Sequence, residues 1–185
     1  MRTLENSSQV LAQALDVRGG LELARGKTEA AWGTWQEAAK IYQQLDDTPA
    51  LIQNRINQAQ AMQSLGNYLQ ARDTLDSVKE ILEKQPNSSL KATGLRSLGN
   101  VLQMQGNLSE SEKILKESLV VAQKVRDVTV QSNTLLSLGN TARAQRSTQI
   151  SLGKSENVEK YTKQAIEYYQ QAEQIASAIP IVRLQ

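Results

Sequence analysis

Leu95-Arg96-Ser97-Leu98-Gly99-Asn100-Val101-Leu102-Gln103-Met104-Gln105-Gly106-Asn107-Leu108-Ser109-Glu110-Ser111-Glu112-Lys113-Ile114-Leu115-Lys116-Glu117-Ser118 is the stretch that decides the fold of this 185-residue chain. Before Gly106, Leu95, Leu98 and Leu102 recur at helical spacing. After it, Ser111, Leu115, Ser118 and Val121 do the same. Gly106 can take the left-handed conformation that closes a helix. Asn107 stands as the next N-cap, with Glu110 three residues on in a capping-box arrangement. The stretch therefore predicts two amphipathic helices joined by a tight turn.

Working outward, the same pattern returns every 40 residues. Gly26, Gly66 and Gly106 are each followed by a small residue (Ala31, Ala71, Ser111), a bulky one (Trp35, Leu75, Leu115), a second small or branched one (Ala38, Val78, Ser118) and an aliphatic (Ile41, Ile81, Val121). Leu95, Leu98, Gly99 and Leu102 reappear as Leu135, Leu138, Gly139 and Ala142. Asn67 with Gln70 repeats the capping box. Thr48-Pro49 supplies a cap and a proline in the first turn, Asn87-Ser88-Ser89 follows Pro86, and Asp127 can cap the next helix. Small residues at Ala59, Gly99 and Gly139 let the second helix of a pair approach the first. Repeats of this length mark a solenoid. We expect one repeat domain over 1–185, with units at about 9–47, 48–86, 88–126 and 127–178, and the start of a further helix at 180–185.

Leu98-Gly99-Asn100 through Ser118 resembles the tetratricopeptide (TPR) repeat, with Ser at two of its usual Ala positions. The resemblance implies an all-α fold, a right-handed α-solenoid of antiparallel helix pairs, here TPR-like with a period of about 40 residues. It also implies a non-catalytic role in protein binding. Asn57-Gln58-Ala59-Gln60-Ala61-Met62-Gln63-Ser64-Leu65-Gly66 and Ser137-Leu138-Gly139-Asn140-Thr141-Ala142 are similar to the repeat arms of cyanobacterial CHAT proteins. Those arms precede a caspase-like peptidase domain.

Composition removes several kinds of chemistry. There is no Cys and no His, so thiolate metal sites, disulfides and His-based proton shuttles cannot be built from this chain. No catalytic residues, cofactor or metal ligands are expected. Twenty-one basic against nineteen acidic residues leave a net charge of +2, too small and dispersed for a phosphate-tracking surface. Neither a signal-peptide core nor a run of about 18 apolar residues is present, so no membrane partner and a cytoplasmic setting are expected.

Function is then expected on the concave side, lined by the leading helix of each pair. Its groove-facing positions are Gln53, Ile56, Gln60 and Gln63, then Thr93, Arg96, Asn100 and Gln103, then Asn133, Leu136, Asn140 and Arg143. An amide offers both a donor and an acceptor, which suits the backbone of an extended peptide. The expected partner-binding residues are Asn100, Asn140, Arg96, Gln103, Arg143, Gln60, Gln63 and Asn133. The resemblance assigns backbone gripping to Asn100 and Asn140, and the two arginines favour an acidic protein or peptide. Trp35 falls in the packed column, whereas Trp32 is open to a ligand role.

Three departures from the repeat carry further expectations. Arg18, Arg55 and Gln58 stand where Leu is usual, which predicts a rotated or partly solvated stripe there and a first pair acting as a cap. Fourteen residues are added within Arg143 to Lys160, as an exposed loop or as overlong helix ends, because Ala165, Tyr169, Ala172 and Ile175 follow Ser111, Leu115, Ser118 and Val121 by 54. Pro180 can begin a new helix, and Ile181, Val182 and Leu184 would lack a repeat to pack on. We therefore expect the parent chain to continue beyond Gln185 and this open C-terminal flank either to self-associate or to fray.

Overall fold

Each stretch between turn signals closes into one helix. The computed structural model describes residues 2–177, with side chains from residue 6 onward. Among the described residues there are eight helices and no strand: α1 (Arg2–Ala24), α2 (Thr28–Gln44), α3 (Thr48–Ser64), α4 (Tyr68–Glu83), α5 (Ser89–Met104), α6 (Leu108–Lys124), α7 (Val128–Ser151) and α8 (Ser155–Ser177). They form two compact units, one through Lys84 and one from Gln85 onward. In the first, α1 packs on α2, α2 on α3 and α3 on α4; in the second, α5 packs on α6, α6 on α7 and α7 on α8, with α5 also touching α7. The expected helix at 180–185 lies outside the described residues.

Turn chemistry explains the boundaries, with two corrections. Gly66 and Gly106 adopt φ of 77° and 81°, where a side chain would be strained. The next residue's N–H reaches back across the turn, Asn67 to the Met62 carbonyl (2.8 Å) and Asn107 to that of Leu102 (2.9 Å). The capping boxes predicted at Asn67 and Asn107 do not form, since neither side chain makes a cap bond. The other correction is a shift of one residue: Asp47, not Thr48, caps α3 by accepting from Ala50 N, with Pro49 in the first turn. Asp127 caps α7 as expected, accepting from Val130 N at 2.9 Å, and within the Asn87-Ser88-Ser89 run it is Ser88 that caps α5, accepting from Lys91 N at 3.1 Å.

The fourteen added residues are overlong helix ends. α7 has 24 residues and α8 has 23, against 17 in α3 and α6, and the turn between them is closed by Gly153 at φ 67°. About seven residues on each helix amount to nearly two full turns, so the buried faces return almost to register. Tyr169 accordingly meets Gly139 as Leu115 meets Gly99. A methyl group on Gly139 would lie 2.5 Å from Tyr169 Cε1, and one on Gly99 2.6 Å from Leu115 Cγ. Gly19 is a further member of this column: its Cβ would fall 2.6 Å from the Trp35 indole nitrogen. Trp35 is thus core, as expected.

The serines at usual Ala positions bind the second unit together. Ser111 Oγ donates to the Gly99 carbonyl (2.8 Å) and lies 3.1 Å from Thr141 Oγ1. One heptad on, Ser118 Oγ donates to the Ala92 carbonyl (2.8 Å) and lies 3.2 Å from Thr134 Oγ1. Thr141 and Thr134 also donate to the Ser137 and Val130 carbonyls. Each site therefore shares two hydroxyl protons among three contacts, all buried, across α5, α6 and α7. Satisfying these buried hydroxyls is what makes Ser tolerable where a methyl would otherwise pack. Around them Leu115, Leu135, Leu138 and Ala172 form an apolar cluster.

The expectation of a rotated or partly solvated stripe in the first unit divides between its residues, Arg18 being exposed and Gln58 not. Gln58 is buried, not wet: its Nε2 donates to Asn54 Oδ1 (2.7 Å) and toward the Trp35 carbonyl (3.4 Å). Asn54 in turn donates to Asp16 Oδ1 at 2.6 Å, while Tyr42 donates to Asp16 Oδ2 at 2.7 Å. Burial first, and the Asp16 carboxylate second, push the Tyr42 phenol far above its ordinary range, so it remains a donor. Arg18 stays exposed and reaches Glu22 along α1.

Candidate functional site

The second unit brings most of the expected residues onto two touching helices. Arg96, Asn100 and Gln103 follow one another at i, i+4 and i+7 on α5, all half-buried. Asn133, Leu136, Asn140 and Arg143 stand at i, i+3, i+7 and i+10 on α7, where Asn140 is half-buried and the others exposed. Equivalent residues of α5 and α7 lie 40 apart, so each helix presents the same column in turn.

Arg96 is the unusual member. Its Nε is buried and finds no hydrogen-bond partner, and no carboxylate among the described residues pairs with it. Burial lowers its pKa from the usual guanidinium value, but an arginine remains charged. A half-buried cation without an anion is a costly arrangement that an external anion would relieve. Asn140 is already engaged on one side: its Oδ1 accepts from Tyr169 OH at 2.9 Å, which leaves Nδ2 to donate. Asn100 keeps both ends of its amide uncommitted among the described residues.

Gln60 and Gln63 stand on α3 of the first unit. Gln60 is exposed, and Gln63 is half-buried with its Nε2 lacking a partner. Ile56, expected to face the groove, is instead fully buried, because at that turn α3 packs its apolar face inward. Trp32 is half-buried beside Met62, Leu65 and Gln70, and its indole nitrogen has no partner.

Sequence reasoning missed the Asp16, Tyr42, Asn54 and Gln58 network. It also missed the contact of Gln145 with Glu112, where Nε2 donates to Oε2 at 3.0 Å. Burial pushes the Glu112 carboxyl up, but hydrogen bonds from Gln145 and Lys116 and the nearby lysine charges outweigh it and hold it below the usual carboxylate range. Among the described residues no cluster of three or more acidic side chains could hold a metal, and no helix is long and apolar enough to cross a membrane.

No protein-family model matches the chain, and no curated protein does. Solved structures do. BtubC (BKLC) from P. vanneervenii aligns over 96% of this chain and 69% of its own, with 17% identity and a TM-score of 0.71. A Podosopora anserina kinesin light chain of nearly identical TPR-like repeats aligns over 92% and 76%, with 18% identity and a TM-score of 0.58. The fold is TPR-like. A Rap protein solved in complex with Competence and Sporulation Factor shares it, over 90% of this chain and 52% of its own, with 15% identity and a TM-score of 0.62. At these identities the likeness carries the helical-repeat fold alone, an all-α solenoid of helix pairs.

Proposed function

We propose that this chain is a non-catalytic, cytoplasmic interaction module that holds an acidic peptide or protein segment along α5 and α7. The observation that carries the reading is Arg96, half-buried and without an anionic partner among the described residues. A ligand carboxylate would supply the missing charge, and a charge-assisted hydrogen bond in such a setting is worth about 1.5–3 kcal/mol. Asn100 would take both a peptide N–H and a carbonyl. Asn140, its oxygen held by Tyr169, would donate to a carbonyl one repeat along. Gln103, Asn133 and Arg143 extend the polar column, and Gln60 and Gln63 offer similar amides on α3. That Rap was solved with a bound factor on a fold of this kind supports the choice of role.

The test is a panel of fluorescent peptides in which Asp and Glu are paired with isosteric Asn and Gln versions. Acidic members should bind better, and Arg96→Gln should weaken them by about tenfold to a hundredfold. Asn100→Ala with Asn140→Ala should weaken acidic and neutral peptides alike. Binding that ignores peptide charge and survives Arg96→Gln refutes the assignment. The CHAT-like wording of Asn57 to Gly66 and Ser137 to Ala142 supports a narrower reading, a regulatory or substrate-recruiting arm of a caspase-like peptidase. A parent reading frame without a Cys- and His-containing domain would remove it.

A further inference from the structure

The first helix carries an apolar stripe that nothing among the described residues covers. Val10, Ala14, Val17 and Leu21 recur at i, i+4, i+7 and i+11 of α1 and are all exposed, Val17 at 66% and Leu21 at 57%. Forty residues on, the same column of α3 is Ala50, Asn54, Asn57 and Ala61; 120 on, in α7, it is Val130, Thr134, Ser137 and Thr141. Asn54, Ala61, Thr134, Ser137 and Thr141 are all buried. What covers them is the second helix of the preceding pair. Ala50 and Leu51 pack on Ala38, Ile41 and Tyr42 of α2, and Ala61 packs with Ala31, Trp32 and Trp35. In α7, Thr134 and Thr141 meet Ser118 and Ser111 of α6. The α1 stripe is therefore a vacant seat for a helix of the α2 and α6 kind.

The helix that fits is α8. Its register against α6 is known from the buried columns: one repeat plus the inserted fourteen residues, or 54 in all. Glu112, which turns toward α7 and accepts from Gln145, corresponds to Ile166, and Ile166 is 50% exposed. Leu119, which packs against the cluster of Leu135 and Leu138, corresponds to the exposed Glu173. The matching positions of α2 are Trp32 and Ala39. Trp32 shares a cluster with Ala61, whose α1 counterpart is Leu21. Ala39 shares a cleft with Arg55 and Gln58, and the α1 counterpart of Gln58 is Arg18. The outward face of α8 thus offers an aliphatic where α1 has Leu21 and a carboxylate where it has Arg18.

We infer that α1 is a docking face for a second copy of this chain, occupied by α8 of that copy in a head-to-tail contact that continues the repeat. The two faces differ, so the contact is heterologous, and each pair of copies keeps one α1 face and one α8 face free for others. The surface is distinct from the α5 and α7 column, so the peptide reading and this one stand or fall separately.

Sedimentation and light scattering of the full chain over a wide concentration range provide the test. The average mass should rise to at least twice that of the monomer, and Leu21→Glu and Ile166→Glu should each hold the protein monomeric with unchanged helicity, both side chains being exposed. Mixing the two variants should then restore a 1:1 dimer that goes no further, because one retains the α8 face and the other the α1 face. A wild-type chain that stays monomeric overturns the inference. So does a mixture that fails to pair, which would indicate an α1-to-α1 contact or association elsewhere.

Discussion

Gly19 and Gly20 are neighbours on α1 that should respond oppositely to the same change. Replacing either by Ala removes the entropic penalty of glycine in a helix, worth roughly 0.5–1 kcal/mol. At Gly20 the new methyl meets nothing within 4 Å, so Gly20→Ala should simply stabilise by about that amount. At Gly19 the methyl would lie 2.6 Å from Trp35 Nε1 and 2.8 Å from Cδ1 and Cε2, so the ring must withdraw by about 1 Å to reach ordinary contact. Trp35 is rigid, only 2% exposed, and donates from that nitrogen to the Asp16 carbonyl at 3.2 Å. Overpacking of this kind costs about 1–3 kcal/mol, and loss of the hydrogen bond about 1 kcal/mol more. Net of the helix gain, Gly19→Ala should destabilise by roughly 1–3 kcal/mol. The propensity contribution cancels between the two variants, so the gap between them, about 2–4 kcal/mol, measures the overpacking together with the lost Trp35 hydrogen bond. Urea unfolding followed by circular dichroism is the assay, and thermal midpoints should separate in the same sense, by about 2–4 °C per kcal/mol at this chain length. Adding Trp35→Leu, the residue type found at positions 75 and 115, should rescue much of the Gly19→Ala loss. Equal effects at the two glycines would refute the close approach of α1 and α2.

Ser118→Ala removes a proton shared between the Ala92 carbonyl and Thr134, and should cost about 1 kcal/mol in a urea titration; Ser118→Ala with Thr134→Val should cost less than the two single losses combined, since no hydroxyl is then left without its partner. Asp127 should make stability acid-sensitive. Its carboxyl is held below the usual range by the Ser89 hydroxyl first and by the Val130 N–H, so its stabilising contribution is complete above the unfolded-state value near 4 and is lost as pH falls through the depressed folded value. Urea midpoints measured from neutral to acid pH should therefore fall less steeply in Asp127→Asn, which keeps a cap acceptor but cannot titrate. An unchanged acid slope would contradict that role for Asp127.

The sequence made the repeat legible because the buried faces recur with one period. Helix pairs, their turns and the glycine column all follow from residues 40 apart, and Gly19 could have been found by stepping back from Ala59. The inserted fourteen residues could be counted but not shaped, since loop and helix extension have the same length; what decides is that seven residues per helix preserve the face. The missed features are those that occur once. Asp16 reaches Tyr42 and Asn54 on two other helices, and the corresponding residues 80 further on, Arg96 and Thr134, share no such chemistry. No periodicity could announce it. Capping failed for a related reason. Asn67 and Asn107 have the right side chain, but their turns hold ψ at 57° and 60°, whereas the caps that form have ψ of 75°, 93° and 160° at Asp47, Asp127 and Ser88. The backbone bond across the turn does not separate the two cases, since Asp47 N and Asp127 N also reach back, to the Tyr42 and Ala122 carbonyls, and still leave their side chains free to cap.

The polar column shows the same division. That Arg96, Asn100 and Asn140 share a helix face was readable from spacing. That Arg96 is half-buried with no anion, and that Tyr169 takes one side of Asn140, depends on packing between helices. Tyr169 reaches Asn140 only because the insertion returns α8 to register against Gly139, so an insertion that looked remote from the groove sets the hydrogen-bonding capacity of one of its residues. Tyr169→Phe, which keeps the ring against Gly139 and removes only the hydroxyl, would free Asn140 Oδ1 as an acceptor. A peptide that offers an N–H at that place should then bind the variant at least as well as the parent, whereas a loss of binding would mean that Tyr169 acts by holding the amide in its orientation.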